Sequence, residues 1–181
     1  MRVISGSARG VQLRTLDGTK TRPTADRVKE AMFSIIHFDL PGTKILDLFA
    51  GSGQLGIEAL SRGAKSGTFV DESQSACGII KDNLLRTDFM DRSKVICSDY
   101  YAYLKNSSEK YDIILLDPPY AKNFLENSLN LITEIDILQS GGIIVTERPL
   151  GKELPFEYSG FVRSKDYKYG NTLLTIFRKN L

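Results

Sequence analysis

The chain has 181 residues, 41% hydrophobic and 25% charged, with 15 Gly, 6 Pro and a formal net charge of +2. A chain of this length buries roughly 70% of its unfolded surface, so it needs no disulfide or metal to fold, and its apolar fraction excludes disorder. Two distant cysteines, Cys77 and Cys97, and a single histidine, His37, exclude a Cys/His zinc cage. The longest apolar run, Ile113-Ile114-Leu115-Leu116, is far short of the roughly 20 residues of a membrane span. The start, Met1-Arg2-Val3-Ile4-Ser5-Gly6, lacks the pattern of a secretory signal, so a reduced, cytoplasmic, membrane-free protein is expected.

In chain order, residues 2–4 and 11–14 read as short extended pieces around Ser5-Gly6-Ser7-Ala8-Arg9-Gly10, a small hairpin. Val28, Ala31, Met32, Ile35 and Ile36 recur at three- and four-residue spacing, which predicts a helix with Thr24 as its N-cap, ended by Pro41-Gly42. His37 falls on the apolar side of that pattern and reads as a packed or boundary histidine. From Lys44 short apolar strands (45–49, 67–70, 94–97, 111–116, 143–146) alternate with helices (55–61, 74–86, 100–105, 124–135). That alternation predicts a parallel sheet covered on both faces. After Pro155, residues 160–165 and 172–178 form a closing antiparallel pair around Tyr169-Gly170-Asn171. Cys77, in a helix, and Cys97, in a strand, read as small core residues. The organisation is a single α/β domain: a hairpin-and-helix extension over 1–43 and a core over 44–181.

Asp47-Leu48-Phe49-Ala50-Gly51-Ser52-Gly53-Gln54-Leu55-Gly56 follows a strand and opens a helix, the setting in which a glycine-rich turn binds a cofactor. Gly51 and Gly53 allow a sharp turn and close approach, and Gly56 lets the helix pack on the sheet. The spacing alone also fits a dinucleotide, but Asp47 at the strand end would repel a pyrophosphate. It suits a cofactor bearing a positive charge and an ammonium group, as S-adenosyl-L-methionine (SAM) does. Phe49 and Ser52 belong to the same turn. Asp71 closes the second strand, where a carboxylate can accept bonds from ribose hydroxyls, and Asp99 follows the third, where it could read an adenine amine. Glu72 or Tyr100 could flank the ring, though each of these acids also fits an ordinary helix N-cap.

Asp117-Pro118-Pro119-Tyr120 directly follows the fourth strand. Two prolines remove two backbone donors and fix both φ angles, leaving rigid acceptors: the Asp117 carboxylate and the Pro118 carbonyl. A planar exocyclic amine on a nucleobase would satisfy both, with Tyr120 as a stacking face. No nucleophile–base dyad stands out, and direct methyl transfer to nitrogen needs none.

The charge is uneven: +5 over residues 1–29, +4 over 160–181 and about −7 between them. Basic ends point to a polyanion, and Arg2, Arg9, Arg14, Arg22, Arg27 and Lys29 are the candidate phosphate contacts.

The glycine turn, the following Gly56-Ile57-Glu58-Ala59-Leu60-Ser61-Arg62-Gly63-Ala64 and Asp117-Pro118-Pro119-Tyr120 together resemble the class I SAM-dependent methyltransferases. Ile4-Ser5-Gly6 with Arg9-Gly10, and Arg22-Pro23-Thr24-Ala25-Asp26-Arg27-Val28-Lys29-Glu30-Ala31-Met32-Phe33, resemble the N-terminal signature of the RsmD family. That resemblance implies a Rossmann-like, seven-stranded, mostly parallel sheet with the last strand antiparallel. It implies SAM across the strand ends and methylation of a guanine N2 amine in 16S rRNA, the base being flipped into the 117–120 loop. It also implies that Arg22 and Thr24 lie near the cofactor carboxylate or the substrate entrance. Two departures stand out: Gln54 replaces a small residue, and Asp71 replaces a longer Glu. A small monomer with no appended RNA-binding module would act on prefolded rRNA, within a partly assembled small ribosomal subunit. The open alternatives are a methyltransferase acting on another nucleobase amine such as adenine N6 in DNA, a nicotinamide-dependent oxidoreductase, and a non-catalytic RNA chaperone.

Overall fold

In the computed structural model of the protein the described residues are 1–16, 23–119 and 123–180, with 23–26 described through the backbone alone. The first helix, α1, spans Pro23–Ile35. The core then runs β1 (Lys44–Asp47), α2 (Gln54–Ser61), β2 (Ser66–Asp71), α3 (Gln74–Arg86), β3 (Ser93–Cys97), α4 (Tyr100–Asn106), β4 (Tyr111–Leu116), α5 (Phe124–Ile135) and β5 (Leu138–Pro149). It closes with β6 (Glu157–Tyr158), β7 (Phe161–Tyr169) and β8 (Thr172–Lys179). The sheet order is β3-β2-β1-β4-β5-β8-β7-β6, parallel from β3 through β5, with β8 antiparallel to both neighbours. The two-residue β6 makes the sheet eight-stranded rather than seven. Among the described residues no helix is long and apolar enough to cross a membrane.

The central strands are apolar on both faces because both are covered. Ile45, Phe69, Ile113, Leu115, Ile143 and Val145 share one core with residues of α1, α2 and α3. Their neighbours Leu46, Val70, Ile114, Leu116 and Ile144 join Leu104 of α4 and Leu129 and Ile132 of α5 in the other. This alternation settles which side of the sheet each strand-end side chain leaves from.

The N-terminal segment is held to the core by a buried carboxylate. Glu58 of α2 is fully buried and accepts from the backbone N–H groups of Ile4 (2.8 Å) and Ser5 (3.0 Å) and from Arg62 Nε (2.7 Å). Lys29 Nζ lies 4.0 Å from the oxygen that accepts from Ile4. Ser61 adds bonds to Ser5 O (2.6 Å) and from Ala8 N (3.0 Å). A Cβ at Gly6, which has φ +87°, would sit 1.8 Å from the Ser61 carbonyl oxygen, so only glycine fits. The hairpin expected at the start is present as a single antiparallel bridge, Arg2↔Gln12.

Four sequence readings are corrected. The first helix begins at Pro23, a favoured opening residue, so Thr24 lies inside the first turn and is not the N-cap. His37 follows the end of that helix in a turn and is exposed, so of the two placements expected for it the packed one is corrected. Cys97 is exposed because β3 is the sheet edge, whereas Cys77 is buried as expected. Lys29 is only 4% exposed and faces Glu58, so it is withdrawn as a phosphate contact.

Candidate active site and cofactor cavity

The C-terminal ends of β1 to β4 open into a cavity of about 650 Å³, within the range of small-molecule sites. Its floor is the glycine turn. Gly51 and Gly53 have φ of 55° and 78°, and Gly53 N donates back to Ala50 O at 2.6 Å. A Cβ on Gly56 would lie 2.3 Å from the Phe69 ring, so that glycine brings α2 down on the sheet. Gly51 lines the cavity, while Ser52 and Gly53 build the turn and do not reach its wall. The buried Asn83 of α3 donates to Ser52 O and to Arg14 O (2.9 Å each) and accepts from Arg14 N (2.8 Å). Its identity gave no sign in the sequence that it ties the N-terminal segment to the cofactor turn.

The carboxylates serve the loops first. Asp47 is buried and accepts from Gly56 N at 2.9 Å. Burial pushes its carboxyl up to about 7, against the pull of that bond and with the help of the Asp71 charge. It stands behind the cavity wall rather than on it. Asp71 accepts from Gly51 N (2.8 Å) and Ser73 N (2.9 Å), so each oxygen already holds a backbone donor. Glu72, beside it, is exposed and on the wall. Asp99 both caps α4, accepting from Ala102 N at 2.9 Å, and faces the cavity.

The apolar wall is a ring cluster. Phe49 and Tyr100 have centroids 5.3 Å apart, and Phe124 stands 6.1 Å from Phe49 and 5.7 Å from Tyr100 at 84°. Phe124, Leu48 and Ser98 were not foreseen. Phe124 opens the helix after the proline loop, and only the fold brings it against Phe49.

Asp117, Pro118 and Pro119 also line the cavity. Burial, then the charge of Glu147, then that of Asp47 push the Asp117 carboxyl up to about 7. Tyr120 and Arg22 lie outside the described residues, as does the side chain of Thr24.

A second cavity, of about 500 Å³, lies between the N-terminal segment and α1. Arg2, Arg9, Arg27 and Arg62 converge on it, with Glu30 as its one acid among the described residues. Arg62 was not foreseen. Arg14 stands apart, paired with Asp82 of α3.

The family described as Conserved hypothetical protein 95 matches residues 1–178. YlbH of Bacillus subtilis is 41% identical over 182 residues, 99% of each chain. The chain belongs to the RsmD family. It is 35% identical over 157 residues to ribosomal RNA small subunit methyltransferase D of Haemophilus influenzae, covering 85% of this chain and 81% of that one. Among solved structures, yhhF of Escherichia coli superposes with a TM-score of 0.89 at 29% identity, covering 99% of this chain and 98% of the other. This RsmD-family chain is a methyltransferase of the α/β class expected from its sequence.

Proposed function

We propose that this methyltransferase transfers a methyl group from SAM to the exocyclic N2 amine of a guanine in 16S rRNA, within a partly assembled small subunit. The observation that carries the reading is the rigid Asp117-Pro118-Pro119 corner on the wall of an acid-rimmed, aromatic-lined cavity.

The donor set fits SAM. Asp71, Glu72, Asp99 and Asp117 rim the cavity, and no lysine or arginine lines it among the described residues. That charge favours a cation bearing an ammonium and disfavours a dinucleotide pyrophosphate, which speaks against the oxidoreductase alternative. Phe49, Tyr100 and Phe124 would hold the adenine, and Asp99 its amine. Glu72, whose carboxylate is exposed at the rim, would take ribose hydroxyls that the occupied Asp71 shares only in part. When bound, SAM supplies an electrophilic methyl on a sulfonium.

The chain's own residues handle the amine. The Asp117 carboxylate and the Pro118 carbonyl accept its two hydrogens, which orients the nitrogen lone pair toward the cofactor side of the corner. As nitrogen gains the methyl it must lose a proton. An Asp117 carboxylate raised to about 7 is matched to receive it near neutral pH. Arg2, Arg9 and Arg27, gathered at the second cavity, would contact RNA phosphates.

Incubating the protein with methyl-labelled SAM and unmodified small-subunit particles, then mapping the label by mass spectrometry, tests this reading. Label on a guanine N2 of 16S rRNA is expected. Label on adenine, or none, refutes it.

A further inference from the structure

The cofactor cavity ends at β4, and the next strand of the sheet is β5. Leu116 of β4 pairs with Thr146 of β5, so Glu147 stands one step beyond, level with Asp117. Val145 packs in the core shared with α1–α3, and strand alternation sends Glu147 from that same face. Leu115 belongs to that core too, which puts Asp117 on this face as well. The two carboxylates therefore leave neighbouring strand ends from the same face, Asp117 on the lining of the cofactor cavity and Glu147 just outside it.

Glu147 is held where it is. β5 continues past the end of β4 and pairs with β8 as far as Pro149, with Glu147 opposite Leu174. The following Arg148, 1% exposed, leaves from the other face and is fixed there by Thr175 Oγ1 (2.9 Å), Asp166 Oδ2 (2.7 Å) and the Lys152 carbonyl. A buried arginine with every arm engaged ties the strand end to β7 and β8 through charge-assisted hydrogen bonds. Glu147 itself is half-exposed.

We infer that Glu147 is the specificity-determining residue of this site, accepting the N1–H of the target guanine while the neighbouring corner holds its N2 amine. This rests on the proposed guanine-N2 reading. Along its Watson–Crick edge guanine offers N1–H and N2–H2 as adjacent donors, which two adjacent acceptors satisfy together. Adenine offers an unprotonated N1 there, whose lone pair would face a carboxylate. A base with the reactive amine but without N1–H is rejected for the same reason.

The test uses particles carrying either guanosine or 2,6-diaminopurine riboside at the methylated position. The analogue keeps the 2-amino group and lacks N1–H. At pH 8, where Asp117 is ionised with or without the Glu147 charge, wild type should prefer guanosine by more than about tenfold in kcat/KM. Glu147→Gln can turn its amide N–H toward the bare N1, so its preference should fall to within about threefold. Glu147→Ala should lower guanosine kcat/KM by about tenfold, to the level of the analogue, with its melting temperature reporting that it folds. If Glu147→Gln slows both substrates equally and keeps the wild-type preference, Glu147 does not read N1 and the inference is overturned. Failure of the guanine-N2 reading is distinguishable, because wild type would then place no label on guanosine N2.

Discussion

Replacing Asp47 by asparagine should stabilise the free protein and weaken its hold on SAM. The folded-state pKa of Asp47 is raised from 3.8 to about 7, chiefly by burial. The folded chain therefore binds that proton more tightly than the unfolded chain. Below about pH 4 both states are protonated and no stability is lost. Between 4 and 7 only the unfolded chain ionises freely, so stability falls as pH rises, and above 7 the full loss applies. At about 1.4 kcal/mol per pH unit that loss is about 4 kcal/mol, of which about 3 develops between pH 5 and pH 8. Asparagine keeps an acceptor for the Gly56 N–H and has nothing to titrate. Urea denaturation should show Asp47→Asn gaining about 3 kcal/mol on wild type between pH 5 and pH 8. Asp117, with its own raised pKa, is present in both proteins and cancels to first order. Calorimetry should show the reverse for SAM: affinity at least about tenfold weaker at pH 8, because asparagine offers the cofactor's cation no negative charge where the ionised Asp47 does. A stability difference that does not change with pH would refute the reasoning.

Asp117→Asn should lower kcat by at least about 10²-fold with SAM affinity changed by less than about tenfold, and the wild-type loss of kcat/KM below about pH 7 should vanish in the variant. Reversing Arg9 and Arg27 to glutamate should weaken particle binding and flatten the log–log salt slope by about one for each phosphate that the variant no longer neutralises, as measured in filter binding at several salt concentrations. Glu58→Gln removes the charge that faces Lys29 and Arg62 and should cost about 3 kcal/mol in denaturation. Hydrogen exchange should then show faster exchange over residues 1–13, with SAM affinity kept.

The element order was legible because the core strands are apolar on both faces and the helices carry one apolar stripe each. The helix over Gln74–Arg86, the strand over Tyr111–Leu116 and the helix over Phe124–Ile135 match their predicted bounds. Two of the errors share a cause: residue type records polarity, not position in the assembled fold. Cys97 reads as core and lies on the edge strand; Lys29 reads as a free cation and lies under the N-terminal segment. The site was legible as a set of strand-end residues but not as a division of labour. Asp47 and Asp71 carry the acids expected of cofactor ligands, yet their first partners are backbone N–H groups of the turn they support. A carboxylate that shapes a loop and one that holds a ligand look alike in sequence, because both follow a strand and precede a helix. Phe124 and Asn83 were missed because what matters about them is a contact made across the fold.

The RsmD-type N-terminal signature is more than an appendage bearing charge. Its glycine, Gly6, is fixed by contact with the Ser61 carbonyl, and its backbone donors end on Glu58, both within α2. The other end of α2 is the glycine turn of the cofactor cavity. Asn83 adds a second tie, from Arg14 to Ser52. The arginine-lined cavity and the cofactor turn are thus built on one short rigid helix, with no hinge among the described residues between them. On the proposed reading, an enzyme that extrudes a base from structured RNA would gain from this, because phosphate contacts at the arginines would fix where the base can be delivered. On that argument the N-terminal arginines act on turnover as well as on affinity: a charge reversal that loosens the grip should lower kcat along with raising KM, whereas a segment that served only as an electrostatic tether would change KM alone.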